Sequence, residues 1–321
     1  MNITVLGCGR WGSFQAWYAN RCGHNVLVWG RAGVPDIEEL MRTHSNSYLT
    51  LPDSVALTTD LDEAVNHADF IIISISSQAL RELAERLNTY DLTGKRFLLC
   101  MKGLEESTGK RLSVVMRESI HQPVGIAVLA GPGHVQSYTS GIPGAQVVDS
   151  DDEQLTRYVV SVLGSDLIRL YIGSDLIGTE IGAAAKNVIG LAAGMLDGFG
   201  YESLKGALMA RGAREVSRLI SAMGGNELSA YGLCHLGDYE ATLFSKFSNN
   251  RAFGERFVRG ESFDKLAEGV YTVKAMVTLG EQLGVDLPIS HALLHIVHEG
   301  ADPKEELTTL FLRSVKQEFG A

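Results

Sequence analysis

Lys186 and Asn187 stand in the middle of Asp175–Gly200, a stretch that is otherwise small and apolar at helical spacing. Gly182, Ala183, Ala184, Ala185, Gly190, Ala192 and Ala193 leave room there for a second element or a ligand to come close. A lysine in such surroundings loses hydration. That disfavours its charged form and brings its pKa toward neutrality, which suits it to exchange a proton with a carbonyl or alcohol oxygen. The alternative is a lysine that snorkels to solvent from a packed helix. Downstream, Gly232–Thr242 is punctuated by glycine and contains Asp238 and Thr242, and Ser248-Asn249-Asn250-Arg251 follows. A carboxylate, a hydroxyl, two amides and a guanidinium in this short span suit a polyol phosphate, with hydroxyls on the carboxylate and amides and phosphate on the guanidinium. A solvated loop with an ordinary helix cap is the alternative. Lys102-Gly103 and Gly131-Pro132-Gly133 each follow a candidate strand, at the end where doubly wound sheets bind ligands.

The element that must stand opposite these groups lies at residues 1–19. The apolar run Asn2–Leu6 enters Gly7-Cys8-Gly9-Arg10-Trp11-Gly12 and leaves into a helical pattern. A G-x-G-x-x-G turn between strand and helix is the context for dinucleotide binding. Gly7 permits the sharp turn, Gly9 admits a pyrophosphate to the backbone, and Gly12 lets the helix lie close on the strand. The phosphates would sit at the positive end of that helix. After the second strand the chain reads Trp29-Gly30-Arg31, with no acid to hold ribose hydroxyls. Arg31 could pair with a 2′-phosphate and stack on adenine, so NADP, or tolerance of both NADP and NAD, is expected. The alternative is a solvated surface arginine.

Short apolar runs at 25–29, 55–58, 70–74, 96–100 and 126–130 alternate with helical patterns at 11–21, 61–67, 78–87 and 111–120. That alternation predicts a parallel sheet covered on both faces. Runs at 145–148 and 167–171 flank a helical stretch at 153–163 and extend the sheet, in part antiparallel. From Asp175 onward β-branched runs give way to helical spacing, with helices expected at 176–199, 201–223, 227–233, 251–259, 270–283, 289–299 and from Pro303 to about Phe319. The fold class expected is thus an α/β Rossmann-type doubly wound domain over 1–174 and an all-α domain over 175–321. Ligand is expected in the cleft between them.

The chain has 321 residues, 45% hydrophobic, with a net charge of −10. Its charge disfavours nucleic acid and anionic membrane surfaces as partners. Cys8, Cys22, Cys100 and Cys234 are scattered without metal or disulfide spacing, so no metal is expected and a reduced, cytoplasmic setting is. No apolar run approaches the roughly 18 to 20 residues of a membrane span, and no cleavable leader is evident.

These segments in this order resemble the bacterial NAD(P)-dependent glycerol-3-phosphate dehydrogenases over nearly the whole chain. The resemblance is carried by Gly7–Gly12 with Trp11, Trp29-Gly30-Arg31, Lys102-Gly103, Gly131-Pro132, Gly182–Gly190 around Lys186-Asn187, Gly237-Asp238, Asn250-Arg251, Glu268-Gly269-Val270 and Leu283–Ile289. It implies reversible reduction of dihydroxyacetone phosphate to sn-glycerol 3-phosphate for phospholipid synthesis, by a homodimer. It implies that Lys186 protonates the forming alkoxide, that Asp238 stands near the glycerol hydroxyls, and that Lys102 touches substrate and cofactor. Arg10, Trp11, Arg31, Tyr48, Val135, Leu266 and Glu268 fall where the family contacts the dinucleotide. Gly131, Gly133, Ser248, Asn249 and Asn250 fall where it contacts substrate, with Asn187 and Thr242 counted beside them.

Three positions depart from the family pattern. Gly131-Pro132-Gly133-His134-Val135 stands where Gly-Pro-Ser-Phe-Ala is usual, and Ser248-Asn249-Asn250-Arg251 where Ser-Arg-Asn-Arg is usual. Asn249 thus replaces the arginine used on the phosphate. Arg251, Lys246 or His134 is expected to take over, or else the substrate differs. Arg10 replaces a small polar residue in the glycine turn, adding a cation where an anion should sit. A related dehydrogenase of another small 2-keto or 3-hydroxy substrate, and a non-catalytic dinucleotide sensor, are the alternatives. The second sits poorly with Lys186, Asn187 and Asp238 all being present.

Overall fold

The computed structural model describes residues 1–314, 317 and 318. Eight strands form one sheet: β1 (Asn2–Leu6), β2 (Asn25–Trp29), β3 (Ala56–Thr58), β4 (Phe70–Ile73), β5 (Arg96–Leu99), β6 (Gly125–Ala130), β7 (Gly144–Asp149) and β8 (Ile168–Ile172). Their spatial order is β3-β2-β1-β4-β5-β6-β7-β8, parallel throughout except for the antiparallel pair β6 and β7. Helices α1 (Arg10–Arg21), α2 (Pro35–Thr43), α3 (Leu61–His67), α4 (Leu80–Leu87), α5 (Leu112–Ser119), α6 (Val135–Thr139) and α7 (Glu153–Leu163) connect them. Apolar clusters lie on both faces of the sheet, so the middle strands carry unbroken apolar runs, as in the fully buried Phe70-Ile71-Ile72-Ile73 of β4. The strand order reverses between β1 and β4, the topological switch point at which such sheets bind ligands.

The chain then becomes helical: α8 (Leu176–Gly198), α9 (Lys205–Ala222), α10 (Asn249–Val258), α11 (Glu268–Leu283), α12 (Pro288–His298) and α13 (Pro303–Phe311). Among the described residues no helix is long and apolar enough to cross a membrane. α8 is buried along nearly its whole length and is the axis of this half. Its glycines set how closely α10 can cross it. A Cβ on Gly194 would fall 1.9 Å from the Arg251 carbonyl oxygen, and one on Gly254 would fall 2.1 Å from that of Leu191.

Two buried carboxylates dock α8 onto the sheet. Glu180 accepts from the backbone N–H of Ser113 at 2.8 Å, at the N-terminus of α5, and pairs with Arg111 at 2.6 Å. Asp149, at the end of β7, accepts from Thr179 Oγ1 at 2.9 Å and from the Asp175 N–H at 3.0 Å. A buried carboxylate is stable only when so paired, which fixes the approach of the two halves.

Most expected elements form within one or two residues of their expected ends. The exceptions are short. Residues 227–233 form a 3₁₀ turn over Glu227–Tyr231 instead of an α-helix, and the helix expected from residue 201 begins with a 3₁₀ turn at Glu202–Leu204. The stretch after Gly232 contains a 3₁₀ turn at Leu236–Asp238 and a π turn at Glu240–Phe244. Helices α2 and α6 were not expected. α2 announces itself by Pro35 at its first position and Asp36 and Glu38 in its first turn, a start signal with too few residues behind it to show a period. The last helix ends at Phe311, and the expected end at Phe319 lies outside the described residues.

Gly194→Ala should lower Tm by several degrees, because the added methyl meets a backbone oxygen and overpacking costs about 1–3 kcal/mol. Gly206→Ala, in α9 with open space around it, should raise Tm slightly. Equal effects in the two variants would remove the close crossing as the cause.

Candidate active site

Gly182, Lys186 and Gly190 lie at i, i+4 and i+8 on α8 and so share one face. The two glycines admit the chain segment 232–250. A Cβ on Gly182 would press on Cys234 and His235, and one on Gly190 would press on Thr242 and Asn250. The segment therefore closes over Lys186 from both sides. His235, fully buried, anchors it through Nδ1 at 2.9 Å from the Gly182 carbonyl and Nε2 at 2.6 Å from Tyr239 Oη. Burial drives the His235 pKa down to about 4, so it is a neutral strut.

The π turn that follows aims Thr242 Oγ1 at Lys186, whose Nζ donates to it at 2.9 Å. Lys186 Nζ also lies 2.7 Å from Asp238 Oδ2. Lys102, just beyond β5, donates to the same oxygen at 2.8 Å and to the Gly131 carbonyl at 2.7 Å. Its ammonium stands 5.4 Å from the centre of the Trp11 ring. Asp238 is 1% exposed, and its Oδ1 is buried without a partner. Burial lowers the Lys186 pKa to about 8; Asp238 opposes that shift and the Lys102 charge reinforces it. Because the same carboxylate also serves Lys102, it does not offset the cost of burial, and Lys186 gives up its proton more readily than an exposed lysine. The arrangement offers a hydroxyl-bearing ligand a free carboxylate oxygen and an adjacent lysine able to hold or yield a proton near neutral pH.

An amide relay fixes these groups in place. Asn187 donates to the Lys102 carbonyl at 2.6 Å and accepts from Asn250 Nδ2 at 2.9 Å, and Asn250 Oδ1 accepts from the Gly269 N–H at 2.9 Å. Strand end, α8, α10 and α11 are thus tied in series. Glu268 at the start of α11 accepts from the Ser77 N–H at 3.1 Å and from Ser77 Oγ, reaching back to the sheet half. Its burial raises its pKa.

These groups open onto a cleft of about 810 Å³ that runs along the ends of β1, β2, β4 and β5. Gly7, at φ +117°, leaves no space for a side chain: a Cβ there would lie 2.1 Å from the Ser74 carbonyl oxygen across the switch point. A Cβ on Gly12 would lie 2.0 Å from the Gly7 carbonyl oxygen, so α1 rests on the turn. Gly9 faces the cleft, and a Cβ on it would have Asp36 Oδ2 as its nearest contact, at 3.9 Å. This tight turn with an unobstructed helix N-terminus fits a dinucleotide pyrophosphate.

Both halves match family models. Residues 2–156 match the NAD-dependent glycerol-3-phosphate dehydrogenase N-terminus and residues 175–308 the C-terminus. The chain belongs to the NAD-dependent glycerol-3-phosphate dehydrogenase family. It is 37% identical to a glycerol-3-phosphate dehydrogenase [NAD(P)+] of Prosthecochloris aestuarii, over 99% of this chain and all of that one. It is 36% identical to one of Thermoanaerobacter, over 99% of each. Among solved structures it is similar to glycerol-3-phosphate dehydrogenase from Coxiella burnetii, at 27% identity and a TM-score of 0.89, covering 97% of this chain and 99% of that one.

Of the residues that the family resemblance suggested, Gly7, Gly9, Arg10, Trp11, Arg31, Tyr48, Lys102, Gly133, Lys186, Asn187, Asp238, Thr242, Ser248, Asn249, Asn250, Leu266 and Glu268 line the cleft. Gly12 supports the turn from behind, and Gly131 holds Lys102 through its carbonyl. Val135 does not reach the cleft: α6 turns its side chain into the core, fully buried. Arg251 is the larger correction. Its Nε lies 2.5 Å from Asp197 Oδ2 and its Nη2 3.3 Å from Glu255, because position 251 falls on the face of α10 toward the end of α8. It is not among the cleft-lining residues. Asp36 was missed, because it lies seven residues beyond β2 and α2 alone carries it to the glycine turn. There is thus a carboxylate on the Arg31 side of the cleft after all.

Arg251→Ala should therefore cost stability, about 1–3 kcal/mol, because Asp197 keeps only Lys205 as its cation. Thermal unfolding should show the loss while KM for dihydroxyacetone phosphate stays within about twofold of the parent. A KM raised about tenfold or more with unchanged Tm would return Arg251 to the cleft.

Proposed function

We propose that this chain catalyses the reversible, NAD(P)-dependent interconversion of dihydroxyacetone phosphate and sn-glycerol 3-phosphate. Residues 1–174 hold the dinucleotide and 175–321 supply the proton-transfer groups. The observation that carries the reading is Lys186: buried, lowered to a pKa of about 8, and sharing Asp238 with Lys102 at the switch-point cleft.

Gly7, Gly9, Trp11, Arg31 and Tyr48 would hold the dinucleotide, and its nicotinamide supplies or accepts a hydride when bound. In the reducing direction the Lys186 ammonium gives a proton to the substrate's carbonyl oxygen as the carbonyl carbon gains the hydride, so that the C=O double bond becomes CH–OH. The neutral amine left behind regains a proton from solvent. In the oxidising direction the amine takes the hydroxyl proton. Asp238 orients the same hydroxyl through Oδ1 and keeps the two ammonium groups close without neutralising both. Lys102 polarises the forming alkoxide. A phospholipid-precursor role, a homodimer and a cytoplasmic setting belong to the same reading, supported by the family resemblance. Light scattering on the purified chain checks the dimer.

Purified chain should oxidise NADH or NADPH with dihydroxyacetone phosphate, and Lys186→Ala should lose about 10²–10⁴-fold in kcat. The ketone-reducing rate should fall as pH rises through about 8, where Lys186 deprotonates, and the alcohol-oxidising rate should rise through the same pH. No turnover with this substrate would remove the reading. Identical pH dependence in both directions would remove Lys186 as the proton carrier.

Arg31 is exposed at the cleft and can meet a 2′-phosphate, while Asp36 beside Gly9 can accept from ribose hydroxyls. Use of both cofactors follows. Arg31→Ala should raise KM for NADPH about fivefold, the scale of an exposed charge pair near 1 kcal/mol, and leave that for NADH nearly unchanged. Equal changes in the two values would exclude contact with the 2′-phosphate.

A further inference from the structure

We propose that the Arg10 guanidinium, reaching across the cleft from the glycine turn, grips the phosphate of the substrate, with His134 beside it. The inference rests on the reading of the substrate as a phosphorylated ketone. A phosphate dianion drawn from water needs a cation whose charge is not already used. Of the buried or half-buried cations lining the cleft, Lys102 and Lys186 share Asp238. Arg31, Arg86 and Lys265 line it as exposed side chains. Arg10 is different. Among the described residues no carboxylate lies within ion-pair distance of it.

Its contacts hold it in place without neutralising it. Nη1 donates to the Phe247 carbonyl at 2.8 Å and Nη2 to Gln136 Oε1 at 3.3 Å, both neutral acceptors, and the Tyr48 ring lies 5.6 Å beneath. Arg10 Nε is buried with no partner. Phe247 belongs to the segment that carries Asp238 and Thr242, so the guanidinium spans from the dinucleotide turn to the proton-transfer side.

His134 lines the same cleft. Its ring packs edge-on against Phe247, 5.5 Å between centres, and its Nε2 is likewise buried with no partner. Beyond its burial, it feels the charge of Arg10 and also those of Glu240, Asp238 and Lys186. Arg10, His134 and Asp238 therefore all line one cleft, and each carries a buried polar atom without a partner. A ligand with a hydroxyl or carbonyl at one end and a phosphate at the other would meet Asp238 and Lys186 with the first, and His134 and Arg10 with the second. Asn249, whose amide donates to the Leu266 carbonyl, contributes no charge.

The test compares Arg10→Ser and Arg10→Lys with the parent, using NADH and dihydroxyacetone phosphate. Arg10→Ser should raise KM for the phosphorylated ketone roughly 10- to 150-fold, the scale of one charge-assisted hydrogen bond, with the loss in KM and not in kcat. Its dissociation constant for NADH, read by fluorescence, should change less than threefold, which also shows that the variant is folded. Arg10→Lys should fall between the two, because charge is kept and the fork is lost. Adding Asn249→Arg to Arg10→Ser should recover at least tenfold. An unchanged KM, or an NADH affinity that falls as far as that for the ketone, would overturn the proposal. Should the parent not turn over dihydroxyacetone phosphate, the substrate reading fails by itself. Inorganic phosphate titrated into the NADH complex then decides on Arg10: binding present in the parent and lost in Arg10→Ser supports it, and equal or absent binding refutes it.

Discussion

A single carboxylate oxygen holds the site together. Asp238 Oδ2 receives Lys186 from α8 and Lys102 from the end of β5, at 2.7 and 2.8 Å, so the helical half and the sheet half converge on one buried charge. A carboxylate at 1% exposure is tolerable only with such partners, and two ammonium groups so close are tolerable only with such a carboxylate. The three charges are mutually required. Burial of Lys186 outweighs the help it gets from Asp238, and Lys102 weakens that help, which is why the Lys186 pKa sits at about 8 instead of in the ordinary lysine range. Structural cohesion and proton transfer come from the same contact.

That contact depends on how closely the backbone can approach α8. Gly182 and Gly190, one turn to either side of Lys186, let segment 232–250 wrap the helix, and Gly194 lets α10 cross it. With larger side chains there, Lys186 would look out on solvent and keep its usual pKa. The Asn187 and Asn250 amides then carry the registration outward to Lys102 and Gly269. Small residues on one face and amides on the next turn a packed helix into the wall of a cleft.

The sheet was legible because its signal is local. Each strand is a short apolar run, most connecting helices have their own period or cap, and the glycine turn identifies itself by what precedes and follows it. β1 to β8 and most helices form close to where the residues place them. What was hard to read is short or inverted: α2 and α6 lack a full period, and the π turn at Glu240–Phe244 has no pattern of its own. The site was legible in its residue types and not in its assignments. Arg251 has the chemistry for a phosphate, yet α10 turns it onto Asp197. Val135 lies in the right loop, yet faces the core. Asp36 has no strand-end spacing to mark it, and α2 carries it to Gly9.

By itself the sequence determined the dinucleotide turn, the alternating sheet, the helical half and the presence of a lysine in small, apolar surroundings, since each depends on neighbours a few residues away. Which charges meet was decided only by the tertiary structure. Lys102, Lys186 and Asp238 are separated by 84 and 52 residues, and Arg10 meets Phe247 across 237. No local pattern specifies such pairs. They exist because burial leaves a charged group no water, and the packing of α8, α10 and the sheet ends brings these groups, and not Arg251, to face one another.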